Sequence, residues 1–132
     1  MARVLRPEGY VVIYTVFATD RLEPKEAALM ERNLTVVPAN LVEQTVEDAL
    51  ARARLTVIRK DVIGTEWREY AEERSQPVSR DLLRLARLRR QRKRIIERAD
   101  QDIYDHVQAN LHWLVYQFLG KLQPTMYLLR RR

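Results

Sequence analysis

The sequence has 132 residues, is 46% hydrophobic and carries a formal charge of +6, which is one domain's worth of chain with enough apolar content for a core. It has no cysteine, so disulfides, thiolate metal sites and cysteine nucleophiles are excluded together, and the absence fits a reducing compartment. No run approaches the roughly 18 apolar residues that span a bilayer, and Met1-Ala2-Arg3-Val4-Leu5-Arg6-Pro7 lacks the long apolar centre of a signal peptide, so the expectations are a cytoplasmic location and no membrane partner.

Tyr10 to Phe17 is a run of β-branched and aromatic residues, introduced by Pro7-Glu8-Gly9 and closed by Asp20. It does not alternate apolar with polar, and so predicts a strand buried on both faces, as in parallel sheets flanked by helices. Pro24 to Met30 suits a short helix, with proline and glutamates near its start. Asn40, with Glu43 three residues later, has the spacing of a capping box for a helix running to about Arg54. Leu55 to Ile63 is strand-like and ends at Gly64.

Glu66 to Arg74 is acidic, aromatic-bearing and helical in pattern, and Pro77 interrupts it. Ser79 is placed to cap a helix over about 80–99, and a second helix over about 101–119 carries Ile103, Val107, Leu111, Leu114 and Phe118 at three- and four-residue spacing. Gly120 suits a left-handed helix end. After Pro124, residues 125–129 form a last short strand. The order is strand, helix, strand, helical hairpin, strand, which predicts a small mixed sheet with helices on at least one face.

The charge is uneven. Residues 80–98 carry nine Lys/Arg against two Asp/Glu, with Arg84, Arg87, Arg89, Arg90, Arg92, Lys93, Arg94 and Arg98 on one predicted helix. Such density could track a phosphate backbone, but no aromatic lies among them to stack on bases. Glu66, Glu69, Glu72 and Glu73 precede that helix, and the favoured reading is a charge match between the two segments within the chain. His106, Asn110, Trp113 and Gln117 share one helical stripe and could line a pocket. His106 and His112, six apart, cannot share a face, so no metal site is expected. Ser75 and Ser79 have no histidine close in sequence, and no catalytic residue is assigned.

Arg3-Val4-Leu5-Arg6-Pro7-Glu8-Gly9-Tyr10-Val11-Val12-Ile13 resembles the stretch leading into the fifth strand of class I S-adenosylmethionine-dependent methyltransferases. Glu8 stands where that family usually has the first of two glycines. Residues 40–54 are similar to the helix after that strand, with Arg54 where a glycine commonly ends it. Leu55 to Ile63 resembles the sixth strand, and Thr125 to Leu129 the final one, which in this family runs antiparallel between the other two. The resemblance implies an α/β fold: one domain over 1–132 equivalent to the C-terminal half of a methyltransferase, an incomplete Rossmann-like sheet of three strands with the last antiparallel. A helical insertion carrying the hairpin would occupy about 65–124.

The family binds S-adenosylmethionine at a glycine-rich turn after its first strand. This sequence has only Gly9, Gly64 and Gly120, far apart, so no cofactor is expected to bind this chain alone. The chain is then either a fragment, such as one half of a split enzyme, or a protein that keeps the tail of the fold for another purpose. Open α/β sheets bind ligands at the carboxyl ends of their strands, which places Thr15 and Phe17 nearest a methyl acceptor, with Trp67, His106 and Trp113 as further substrate-binding candidates. Without the earlier strands, the edge of Tyr10 to Phe17 is open, and self-association or a complementary methyltransferase half is expected there. The competing reading is a non-enzymatic protein that binds protein or nucleic acid through the basic hairpin or that edge.

Overall fold

The computed structural model describes residues 5, 6 and 8–131. Its elements are strand β1 (Tyr10–Ala18), helix α1 (Pro24–Leu34), a 3-10 turn (Pro38–Leu41), α2 (Glu43–Arg52), β2 (Leu55–Val62), α3 (Glu66–Ser75), α4 (Pro77–Arg90), α5 (Arg92–Arg98), α6 (Gln101–Phe118) and β3 (Leu122–Arg131). The strands lie in the order β1-β3-β2. β3 is antiparallel to both neighbours, with Thr15 opposite Thr125 and Val62 opposite the same residue from the other side. β1 and β2 therefore run parallel to each other with a reversed strand between them, as the resemblance implied. A bulge lies between Val57 and Arg59.

β1 alternates in burial. Phe17, with Val11 and Ile13 beside it, packs with Leu50, Leu55, Tyr127 and Leu129 under α2. On the opposite face only Val16 is covered, packing with Met30, Leu41, Tyr116 and Leu122 against α1 and α6. Tyr10, Val12 and Tyr14 on that face are 59%, 60% and 54% exposed. The unbroken apolar run thus reads as a strand with both faces made for burial, of which one and a fraction are filled. β1 has no neighbour on its outer edge among the described residues.

Several boundaries depart from the sequence reading, each for a local reason. Asn40 does not cap α2: it lies in the 3-10 turn, and α2 starts after Val42 without a side-chain cap. Ser79 is not a cap either, because α4 begins at Pro77, the first-turn position where a missing N–H costs nothing. The cap comes from α3. The Glu72 carboxylate accepts from the N–H groups of Val78 (2.8 Å) and Ser79 (3.0 Å) and from the Ser79 hydroxyl, and these bonds, the hydroxyl first, hold it below the usual carboxylate range.

The helix expected over 80–99 breaks at Gln91 into α4 and α5. Asp100 caps α6, accepting from the Ile103 N–H at 2.7 Å, and Gly120 ends it with φ 66. β3 is twice the expected length and includes Pro124. The Pro124 carbonyl accepts from the Ile63 N–H at 2.9 Å, just past the last residue of β2. Its missing N–H faces that same side, where the ladder has already ended, so the central strand tolerates it.

Candidate functional site

Because β1 and β2 are parallel, their carboxyl ends meet at one edge of the sheet. The loops that follow them, with the start of β3 and the end of α6, enclose a cavity of about 320 Å³ lined by Thr19, Asp20, Arg21, Gly64, Thr65, Glu66, Gln117 and Gly120 among others. The Thr19 hydroxyl donates to the Gly120 carbonyl at 2.8 Å, and the Thr19 N–H to the Lys121 carbonyl at 3.0 Å, which ties the end of β1 to the turn into β3. Lys121 then holds Glu26 of α1 at 2.6 Å with both side chains largely buried. Burial pushes the Glu26 carboxyl up, but the Lys121 ammonium and the Glu23 N–H outweigh it and leave it below its ordinary value.

Gln117 is buried in the cavity wall, and its Oε1 accepts from the guanidinium of Arg68. Arg68 lies over the Trp67 ring at 4.2 Å. Its Nε is buried without a hydrogen-bond partner, and burial lowers its pKa. The cavity rim thus presents hydroxyls, an amide and charges of both signs, the equipment for orienting a polar ligand rather than for attacking it. Among the described residues no cluster of histidine and carboxylate side chains could hold a metal ion.

The structure brings some of the sequence-derived candidates together and separates others. His106 and Trp113 line one shallow cavity of about 260 Å³ with Asn110, Leu34 and Val36. There the His106 Nδ1 is 2.7 Å from the Asn33 carbonyl, and its Nε2 is 3.0 Å from the Asn110 amide nitrogen. A proton on Nδ1 would donate to that carbonyl and leave Nε2 to accept from the amide. Gln117, on the same stripe, belongs instead to the cavity at the strand ends. Trp67 is about half exposed beside Arg68. Thr15 is half-buried in the α2-facing layer, and Phe17 is buried there, edge-on to Tyr127 at 6.3 Å; neither lines the cavity.

The lining residues that sequence reasoning missed, Thr19, Arg21, Thr65 and Glu66, sit one to four residues beyond a strand's end. The rule that placed Thr15 and Phe17 would have found them had it been applied to the loops. The expected charge match is slight, with Arg80 adding to the bonds that hold the Glu72 carboxyl low. Among the described residues, no ion pair joins the acidic α3 to the arginines of α4 and α5; Glu72 caps α4, and Glu69 accepts from the Thr65 hydroxyl at 2.6 Å.

Neither the family models nor the curated proteins compared with this sequence match it. Among solved structures, the chain is similar to the mycolic acid cyclopropane synthase CmaA1 complexed with SAH and CTAB, at 14% identity and a TM-score of 0.55, over 98% of this chain and 46% of that one. It is also similar to a Galdieria sulphuraria protein described as a sarcosine dimethylglycine methyltransferase, at 18% identity and a TM-score of 0.50, over 98% of this chain and 44% of that one. The chain spans less than half the length of either structure. What they share with it is architecture: three strands with the last reversed between the other two, flanked by helices, in the α/β Rossmann-like fold of S-adenosylmethionine-dependent methyltransferases.

Proposed function

We propose that this chain is the substrate-side, C-terminal portion of an S-adenosylmethionine-dependent methyltransferase, and that a complementary half holds the methyl donor. The observation that carries the reading is the strand order β1-β3-β2, with a polar cavity at the common carboxyl edge of its two parallel strands. Methyl transfer depends mainly on aligning donor and acceptor, and Thr19, Arg21, Thr65, Glu66 and Gln117 are placed to orient an acceptor there. Thr15 and Phe17 support that edge from below, while His106 and Trp113 form a second cavity for a more distant part of the acceptor. The complementary half, or a second copy of the chain, seats on the free edge of β1 and the face bearing Tyr10, Val12 and Tyr14.

Two measurements test this. Calorimetric titration of S-adenosylmethionine into the chain alone should give no binding in the micromolar range; micromolar affinity would overturn the assignment of the donor to another half. Sedimentation at roughly tens of micromolar should show association that persists at high salt, as apolar contact requires, and that Val12→Lys abolishes without loss of circular dichroism. A chain monomeric under those conditions would remove the role given to β1.

A further inference from the structure

The helical hairpin leaves a second surface unfilled, and its complement lies on the same molecule. Between α4–α5 and α6 runs a groove of about 440 Å³ lined by Arg84, Arg87, Leu88, Gln91, Ile95, Val107 and Leu111. Its apolar floor comes from the stripe that the sequence assigned to the core; Val107 and its neighbour Ile103 are instead open to solvent. Around it, among the described residues, the 80–98 segment makes one ion pair, Arg84 to Asp81 at 2.9 Å. Arg89 and Arg92 are otherwise engaged, near His112 and on Gln101 respectively. Among the described residues, Arg87, Arg90, Lys93, Arg94 and Arg98 are in no ion pair. An exposed apolar groove bordered by like charges calls for an acidic, amphipathic partner.

α3 supplies the charge and an aromatic surface beside it. Glu66, Glu69 and Glu73 are exposed on it together with Trp67 and Tyr70, and none of the three carboxylates is in an ion pair among the described residues. Arg74 lies over the Tyr70 ring at 4.3 Å and is the one cation in its last turn. The ten residues of α3 are about 15 Å long, and the groove is lined from Arg84 to Ile95 across the break at Gln91. Within one chain, no ion pair among the described residues joins the two surfaces.

We infer that α3 of one copy docks in the groove between α4–α5 and α6 of a second copy, so that the acidic and basic segments are matched between molecules. Such a contact is heterologous, since donor and acceptor surfaces differ, and it leads to rings or open chains rather than to an isologous pair.

The test uses the full chain carrying Val12→Lys, which removes association through the sheet. Light scattering should show a mass that grows with concentration at low salt and an affinity that falls at least about tenfold in about 0.5 M salt. Arg87→Glu/Arg94→Glu and Glu69→Arg/Glu73→Arg should each be monomeric alone, and mixing the two should restore association, because each reversed surface then meets its complement. A mixture that stays monomeric, or association of the Val12→Lys chain that is indifferent to salt, would overturn the inference. So would a Val12→Lys chain that is monomeric at low salt yet binds duplex DNA or anionic vesicles through these arginines. The sheet-face association is insensitive to salt and is lost with Val12→Lys, so the two readings fail separately.

Discussion

Arg54 closes α2 and enters β2 with φ 56, in the left-handed region, while its N–H donates to the Ala51 carbonyl at 3.0 Å. Its side chain is exposed, so the position can be judged on backbone alone. A residue with a Cβ costs roughly 1–2 kcal/mol there, and glycine avoids that cost while giving back about 0.5–1 kcal/mol in unfolded-state entropy. Arg54→Gly should therefore stabilise the chain by roughly 0.5–1 kcal/mol. For 132 residues, at about 2.1 cal/mol/K per residue, that is a rise in Tm of roughly 2–4 °C.

Differential scanning calorimetry measures the shift, and Arg54→Ala is the control, because it removes the same charge but keeps the Cβ. An equal rise in both variants would trace the effect to charge, and no rise in the glycine variant would refute the backbone argument. Glu8 makes the contrast sharper. It also sits in the left-handed region, with φ 63, but it pairs with Arg130 at 2.7 Å. Glu8→Gly should gain the same relief and lose an exposed pair worth up to about 1 kcal/mol, for little net change. Both residues hold a backbone conformation that favours glycine.

Two further outcomes follow from the buried layers. Burial, with help from Glu26, pushes the Tyr116 phenol up to about 12, and burial with the Glu47 hydrogen bond raises Tyr127 as well. The folded state keeps protons that the unfolded chain releases near pH 10, so this stability is intact below about pH 10. It should fall by roughly 1.4 kcal/mol per pH unit per tyrosine above it; urea melts across that range should show a shallower decline in Tyr116→Phe. Phe17→Ala should lose about 3–5 kcal/mol, measured by the same melts, since its ring fills the layer under α2 rather than facing the cavity.

The sheet was legible because its signals are local and strong: an eight-residue β-branched run, a second strand ending at Gly64, and the turn at Gly120. Helix starts were legible where their signals are local, at Pro24, Glu66 and Gln101, and not at α4, whose cap is tertiary. Glu72 reaches over the Gln76 turn to the start of α4, a bond that no scan for a residue immediately before a helix would find. The cavity was half legible. The correct edge of the sheet follows from the strands being parallel, but which residues line it depends on how Thr19 is tied to Gly120 across about a hundred positions of sequence. The charge pattern misled for a related reason: the α3 carboxylate that does reach α4, Glu72, bonds to the N–H groups at that helix's start and not to its arginines in an ion pair.

The two faces of β1 bear most directly on function. Its inward layer is complete, since Phe17, Tyr127 and Leu129 are nearly inaccessible to solvent under α2. Its opposite layer is filled only at Val16, where α1 and α6 reach the sheet. Tyr10, Val12 and Tyr14 have the composition of core and the exposure of surface, and burying each side chain fully is worth about 1.5–3 kcal/mol. A covering segment that removed their exposed halves from water would return several kcal/mol, a substantial part of the stability of an ordinary domain. Charge cannot supply that gain, because Arg130, at 5.9 Å from the Tyr10 ring, is the one cation stacked on this face among the described residues. A partner of the kind proposed for β1 would therefore have to bring an apolar layer with a free strand edge of its own, as the preceding strands of a Rossmann-like sheet would.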